Sequence, residues 1–496
     1  MRSWRRPTLA AGAIASAALV ATACSGTWQV TATPSPIKAV HVALLHTGKV
    51  LMVAGSGNSR GDFDAGTFKT SIWDPTTGTF SAVTTPWDAF CSGHSFLPDG
   101  ELLVAGGTTA YPGPATNNAN AGSAKSYLFD PDTKQYVAEP DMATARWYPT
   151  TIELGSGNIF TVGGLDDQGL RTNASQTFNA NLHTWTADKV PPSQLSFMPF
   201  YPSLHLLSDG RVFYSGVNVF GPGPTAPGIW NVNTNAWTAV SGLTDPGRRD
   251  QGMSVLLPPA QDQKVMVMGG GFQDQPVDAV SSTAIVDLRS ATPTFVPGPP
   301  MDTKKMYVSA VILPDSTVLE TGGASTTVHN GDHAVLSAQI FDPKTSAWTK
   351  VASPTVPRVY HSSALLLPDG RVATFGGNPD DGYETRIEIF TPPYLQQGTA
   401  RPTIDAAPTE MTYGGTYSLR TTQAAALRSA VLVRPMAVTH SSDPAQRLVD
   451  LPFTTTANGA SVTVTNSRNI APPGWYMVFV VDGNGVPSVA KWIHLS

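Results

Sequence analysis

Short apolar runs, each entered through a turn residue and left through glycine, recur along most of this chain. They read GKVLMVAG from Gly48, GELLVAGG from Gly100, GNIFTVGG from Gly157 and GRVFYSG from Gly210. KVMVMGGG from Lys264, TVLETGG from Thr317 and GRVATFGG from Gly370 continue the series. Runs this short, bounded by turn signals, read as buried strands rather than helices. Their spacing, about 52 to 57 residues, matches a kelch-type propeller blade of roughly 50 residues and four strands. The third segment of a unit ends in an aromatic residue and Asp-Pro, as in Ile72-Trp73-Asp74-Pro75, Phe129-Asp130-Pro131 and Phe341-Asp342-Pro343. A fourth follows in Ala236-Trp237-Thr238 and Ala347-Trp348-Thr349. The pattern predicts an all-β chain built on a seven-bladed kelch-type β-propeller.

The seventh unit runs through Ile389-Phe390-Thr391-Pro392-Pro393 into a new composition before supplying a fourth strand. Thr27-Trp28-Gln29-Val30 reads as a fourth strand without a blade. Pairing the two would close the ring and remove two open sheet edges. From about residue 401 the glycine signal stops, and apolar and polar residues alternate over Ser429 to Val433, Val462 to Val464 and Met477 to Val481. That is the pattern of a small Ig-like β-sandwich. The expected division is an export signal over 1–24, the propeller over 25–398 and the sandwich over 399–496.

Composition narrows the function more than the fold. A net charge of −5 with 14% charged residues leaves no basic footprint, which excludes nucleic acid as the partner. Met1-Arg2-Ser3-Trp4-Arg5-Arg6, the apolar stretch from Leu9 to Ala23 and then Cys24 form a signal peptide. Leu19-Val20-Ala21-Thr22-Ala23-Cys24 resembles a bacterial lipobox with Cys24 as the lipidated residue, although Ala21 stands where Leu is usual. The expected location is therefore outside the cell membrane, lipid-anchored at the surface, with plain secretion as the alternative. Of the two cysteines, Cys91 is the one left inside the folded part. In oxidising surroundings a lone thiol is a liability unless it is buried or chemically used.

The repeat register suggests a use. The first strand of every propeller blade lines the axis, so equivalent positions in different blades meet there. Nine residues before the turn glycines Gly100, Gly157, Gly210 and Gly370 stand Cys91, Tyr148, Tyr201 and His361; the same count from Ser316 gives Tyr307. Tyr360 sits beside His361. A lone tyrosine or histidine at such a place is ordinarily packing, and a buried cysteine a small hydrophobe. Phenols and neutral imidazoles gathered at one mouth suit Cu(II) or a similar ion with nitrogen and oxygen ligands.

Several motifs, in order along the chain, carry a family resemblance. They are Phe90-Cys91-Ser92-Gly93, Ala145-Arg146-Trp147-Tyr148-Pro149-Thr150, Arg358-Val359-Tyr360-His361-Ser362, Val438-Thr439-His440, Gln446-Arg447 and Pro472-Pro473-Gly474-Trp475-Tyr476. With them the chain resembles the galactose oxidase and glyoxal oxidase family of mononuclear copper-radical oxidases. The resemblance implies one copper ion held by Tyr148, Tyr360, His361 and His440, and a radical cofactor made by a thioether between Cys91 and Tyr148. It makes Tyr360 the base for the substrate hydroxyl. It implies oxidation of primary alcohols, or of small aldehydes as their hydrates, with O₂ reduced to H₂O₂. His440 lies beyond the propeller, so the C-terminal domain must send a loop into the channel. A copper chaperone would be a further partner if the ion needs help to load.

The chain departs from the family in one telling place. In galactose oxidases a tryptophan two places after the third blade's Gly-Gly stacks over the cross-link. Here that place is Asp166, which leaves Trp147 and Trp230 as candidate shields. Phe200-Tyr201-Pro202-Ser203-Leu204-His205-Leu206 and the Arg-Trp-Tyr-Pro-Thr motif are more similar to the glyoxal oxidase branch, which favours small aldehydes over sugars. A non-catalytic kelch scaffold, or a carbohydrate- or wall-binding lipoprotein, is the alternative reading. Gly57-Asn58-Ser59-Arg60-Gly61 fits a hydrolase motif but is expected to lead into a polar loop, without the helix a nucleophile elbow requires. The acidic pairs Asp166-Asp167 and Asp380-Asp381 read as solvated loops. His41, His94, His329 and His333 fall outside the converging register and are expected to be structural or exposed.

Overall fold

The computed structural model describes residues 25–192, 198–219, 226–272, 279–326, 333–379, 382–398 and 400–496; the signal with Cys24, His329 and the pair Asp380-Asp381 lie outside them. Seven antiparallel sheets carry the seven repeats. In the second, Ser92–Phe96, Leu102–Gly106, Ser126–Asp130 and Gln135–Glu139 pair in chain order. The first strands of the sheets contact one another, Ser92–Phe96 against Thr150–Glu153 and Thr150–Glu153 against Leu204–Leu206, so these strands line an axis. Burial explains the sequence pattern: the inner strand Ser92–Phe96 is buried throughout, whereas the outer strand Gln135–Glu139 is half solvent-facing.

Glycine pairs end the second strands because the chain has to turn there against a neighbouring backbone. At Gly107 φ is +118° and a Cβ would lie 2.2 Å from the Asp88 carbonyl oxygen. In four blades a side chain donates to the first carbonyl of the pair. Trp87 Nε1 reaches that of Gly106 at 3.0 Å, Arg146 that of Gly163 at 3.0 Å, Arg249 that of Gly269 at 2.7 Å and Arg358 that of Gly376 at 2.7 Å. These donors sit immediately ahead of the inner strands, so they also fix the segments that enter the channel.

The ring closes between its ends. Thr27–Val30 pairs antiparallel with Glu388–Thr391, Trp28 opposite Phe390, as the outer strand of blade seven. A five-stranded and a three-stranded sheet follow in the C-terminal part, with Leu419, Leu432, Val462, Val478 and Ile493 in the core they share. This part is built into the propeller. Ala437–Thr439 adds a fifth strand to blade one, with Thr439 opposite His41. Arg434 forms a buried ion pair with Glu153 of blade three. Gln446 accepts from the Ile312 amide at 2.6 Å and donates to the Ala310 carbonyl at 3.1 Å. Ser59 is followed by a short helix, Arg60–Asp64, not by a loop, and caps it by accepting from the Asp62 amide at 3.1 Å.

Candidate metal centre

In six of the seven blades a residue one to three positions ahead of the inner strand is left-handed. Cys91 has φ 63°, Tyr148 66°, Tyr201 41°, Gln251 57°, Tyr307 62° and His361 64°. Such a conformation costs a non-glycine residue roughly 1–3 kcal/mol unless its surroundings enforce it. Here hydrogen bonds between blades enforce it: the Tyr148 amide donates to the Cys91 carbonyl at 2.9 Å, Tyr201 to Tyr148 at 3.0 Å and Tyr307 to Gln251 at 2.6 Å. Gln251, with no redox or acid–base chemistry of its own, adopts the same conformation. The left-handed belt is therefore architecture, and the chemistry is chosen by which side chains stand on it. Spacing misses Gln251, because Pro258, Pro259 and a 3-10 turn at Ala260–Asp262 lengthen the hairpin of blade five.

Five side chains meet over this belt. Cys91, His361 and His440 are buried, with ligand atoms all within 4.8 Å of one another. The Tyr148 hydroxyl lies 2.9 Å from His440 Nε2 and in contact with the Tyr360 hydroxyl. Tyr360 stacks on His361 with ring centroids 3.8 Å apart. Both imidazoles are steered through their other nitrogen. His361 Nδ1 donates to the Asn378 amide oxygen at 2.8 Å, and His440 Nδ1 lies 2.7 Å from the Thr439 hydroxyl. Donation from His361 Nδ1 puts the lone pair of that ring on Nε2, where a metal would take it, and His440 turns its Nε2 toward the Tyr148 hydroxyl.

Burial sets the charge of the cluster. It lowers His440 well below the usual histidine range, helped by His361, His41 and His94. It pushes the Tyr148, Tyr360 and Cys91 protons well above their ordinary values, with the neighbouring thiol adding to both phenols. A neutral His440 imidazole and protonated phenols in a dry site suit a divalent cation, which would hold the phenol oxygens as anions at neutral pH. Two nitrogen and two oxygen donors from three separate segments fit copper.

Trp147 covers the phenol. Its ring centroid is 3.9 Å from that of Tyr148 at 48°, with Phe200 6.1 Å from both rings, and it is 8% exposed. Asp166 serves its own loop, accepting from the amides of Gln168 at 2.9 Å and Leu170 at 2.8 Å. Trp230 belongs to the core between blades three and four, edge-on to Phe160. His41 and His94 are not spectators at the surface. Both are buried, their rings 5.3 Å apart, and His41 lies 6.3 Å from the His440 ring. No register count finds His41, since it follows the belt position of blade one.

Known proteins share this fold. Galactose oxidase of Gibberella zeae is 29% identical over 91% of this chain and 68% of its own length. Aldehyde oxidase GLOX of Vitis pseudoreticulata is 28% identical over 97% of this chain and 99% of its own. A fungal alcohol oxidase of the AA5 family, solved in complex with copper, shares the fold with a TM-score of 0.82 at 24% identity, over 95% of this chain and all of that one. Residues 401–495 match the galactose oxidase-like early set domain. Residues 65–394, most of the propeller and every belt residue from Cys91 to His361, match the glyoxal oxidase N-terminal family, and the chain belongs to that family.

Proposed function

We propose that the protein is a copper-dependent oxidase of small alcohols or aldehydes that passes two electrons to O₂ and releases H₂O₂. The observation that carries this reading is the meeting of Cys91 and Tyr148, from neighbouring blades, with Tyr360, His361 and His440 in one buried cluster. Copper, when bound, supplies a one-electron redox couple and a cation that lowers the pKa of the phenols. His361 and His440 would hold it through Nε2, with the oxygens of Tyr148 and Tyr360.

The chain's own groups divide the rest. The Tyr360 oxygen is the base that takes the substrate hydroxyl proton. Tyr148, joined to Cys91 by a thioether, holds the second oxidising equivalent as a phenoxyl radical and takes the hydrogen from the substrate carbon. Sulfur substitution spreads that radical and makes it easier to form. Trp147 keeps water from the ring face. An aldehyde reacts as its hydrate, which offers the same hydroxyl and C–H as an alcohol. Relatives named galactose oxidase and aldehyde oxidase support both substrate classes. The glyoxal oxidase family match favours the smaller aldehydes.

The test starts from protein made copper-free and then given Cu(II) and air. Peptide mass spectrometry should find the Cys91 and Tyr148 peptides joined and lighter by two hydrogens, and peroxide should form with small alcohols or aldehydes. Cys91→Ala should keep copper and lose peroxide formation by about a hundredfold or more. Wild-type turnover in Cys91→Ala would refute the radical reading.

A further inference from the structure

We propose that His41 is a positioning residue for the Cys91–Tyr148 pair: its Nε2 accepts the Cys91 amide hydrogen and holds the left-handed backbone from which the thiol meets the phenol. The proposal rests on reading that pair as a cross-linked cofactor.

The segment entering blade two is tied down bond by bond. The Trp87 indole donates to Gly106, and the Asp88 carboxylate accepts from the amides of Ser56 at 2.7 Å and Phe90 at 3.0 Å. The Cys91 carbonyl accepts from Tyr148. The sheet ladder of this blade begins one residue later, with Ser92 opposite Gly106. The Cys91 amide thus stands ahead of the ladder, fully buried, and donates to His41 Nε2 at 3.2 Å. A backbone amide can only donate, so this Nε2 must carry a lone pair and the ring proton must sit on Nδ1. Without that acceptor the amide would be a buried orphan. Cys91 could relieve it only by turning φ away from 63°, and the thiol would swing with it.

His41 is itself placed by the strands that frame the site. It lies opposite Val53 on one side and Thr439 on the other, the residue before His440. One imidazole therefore fixes Cys91 of blade two against the strand that delivers His440 from the C-terminal domain. Forming the C–S bond removes the thiol hydrogen and one ring hydrogen, and the two electrons and two protons leave on O₂ as peroxide. That step needs sulfur and ring carbon in line, which a loosened Cys91 would not keep.

The experiment compares full-length wild type, H41F, H41M and H41Q, each made copper-free, then given Cu(II) and air. Cross-linked peptide is followed against time by mass spectrometry, with bound copper and thermal midpoint measured on the same samples. H41F and H41M remove the acceptor and should cross-link at least about tenfold more slowly while still binding copper. H41Q, whose amide oxygen can accept, should recover most of the rate. H41M fills the same space without branching, so it decides the matter if H41F does not fold. A wild-type rate in either apolar variant, or an H41Q as slow as they are, overturns the role of His41 alone. A wild type that never cross-links overturns the cofactor reading and this proposal with it.

Discussion

Trp147 shows how one residue can take a role that its position in a motif does not announce. It precedes Tyr148 in the chain, yet the left-handed turn at Tyr148 brings the two rings to 3.9 Å. An indole at that distance excludes water from one face of the phenol. Trp147→Ala should leave copper binding and the cross-link intact and shorten the life of the oxidised state about tenfold or more. Decay of the radical signal after oxidation measures it, and an unchanged lifetime would place the shield elsewhere. Residues of this kind differ in how far sequence exposes them. Cys91, Tyr148, Tyr201 and His361 share a fixed distance to a turn glycine because their hairpins have equal length. Gln251 escapes because its hairpin is longer, and His440 because it belongs to no repeat. His41 escapes for another reason: its partner is a backbone amide, which leaves no mark in the sequence.

At the scale of elements the glycine-bounded runs were legible because the second strand of a blade is buried and reads as an apolar run, as in Leu102–Gly106. The equally buried first strand Ser92–Phe96 carries Ser92, His94 and Ser95 and gives no such signal. The outer strands are half exposed and mark themselves only by an aromatic residue packing inward. Trp28 is such a residue. Its ring lies 4.8 Å from Phe390 and its Nε1 donates to the Ala352 carbonyl at 2.7 Å, which binds the strand that closes the ring. Trp28→Ala removes this half-buried contact and should cost about 2 kcal/mol, read as a lower denaturation midpoint. Faster amide exchange over Glu388–Thr391 should accompany it, since that strand would become an unpaired edge. Equal exchange in both proteins would mean that backbone pairing holds this strand without Trp28. The strand Ala437–Thr439 was not legible at all, for its three residues pair with blade one from another domain.

The whole molecule buries more imidazole than its surface would suggest, and this ties its stability to pH. Burial holds His94 at about 4 and His205 at about 3, and lowers His41 and His440 well below the usual range. In the unfolded chain each titrates near 6.5. Between 6.5 and the folded value the unfolded state therefore binds a proton that the folded state refuses. Each such histidine contributes stability that is complete above about pH 6.5 and is lost as pH falls, by about 1.4 kcal/mol per unit. Asp443 and Glu153 work in the opposite sense: burial raises each to about 7, so the folded state takes up their protons first and gains as pH falls. Four imidazoles outweigh these two carboxyls between pH 6.5 and 5, and the copper-free protein should lose stability over this range. His205 isolates the effect, since it lies away from the metal cluster and bonds Ser254 Oγ at 2.6 Å. His205→Gln, whose amide reaches the place of Nε2, can keep a bond to that hydroxyl without titrating. Its unfolding free energy should fall less steeply with acid than that of wild type, by about 1.4 kcal/mol per pH unit. Denaturant titrations of both copper-free proteins from pH 7 to 5 would show it, and parallel slopes would mean that His205 takes up its proton in the folded state.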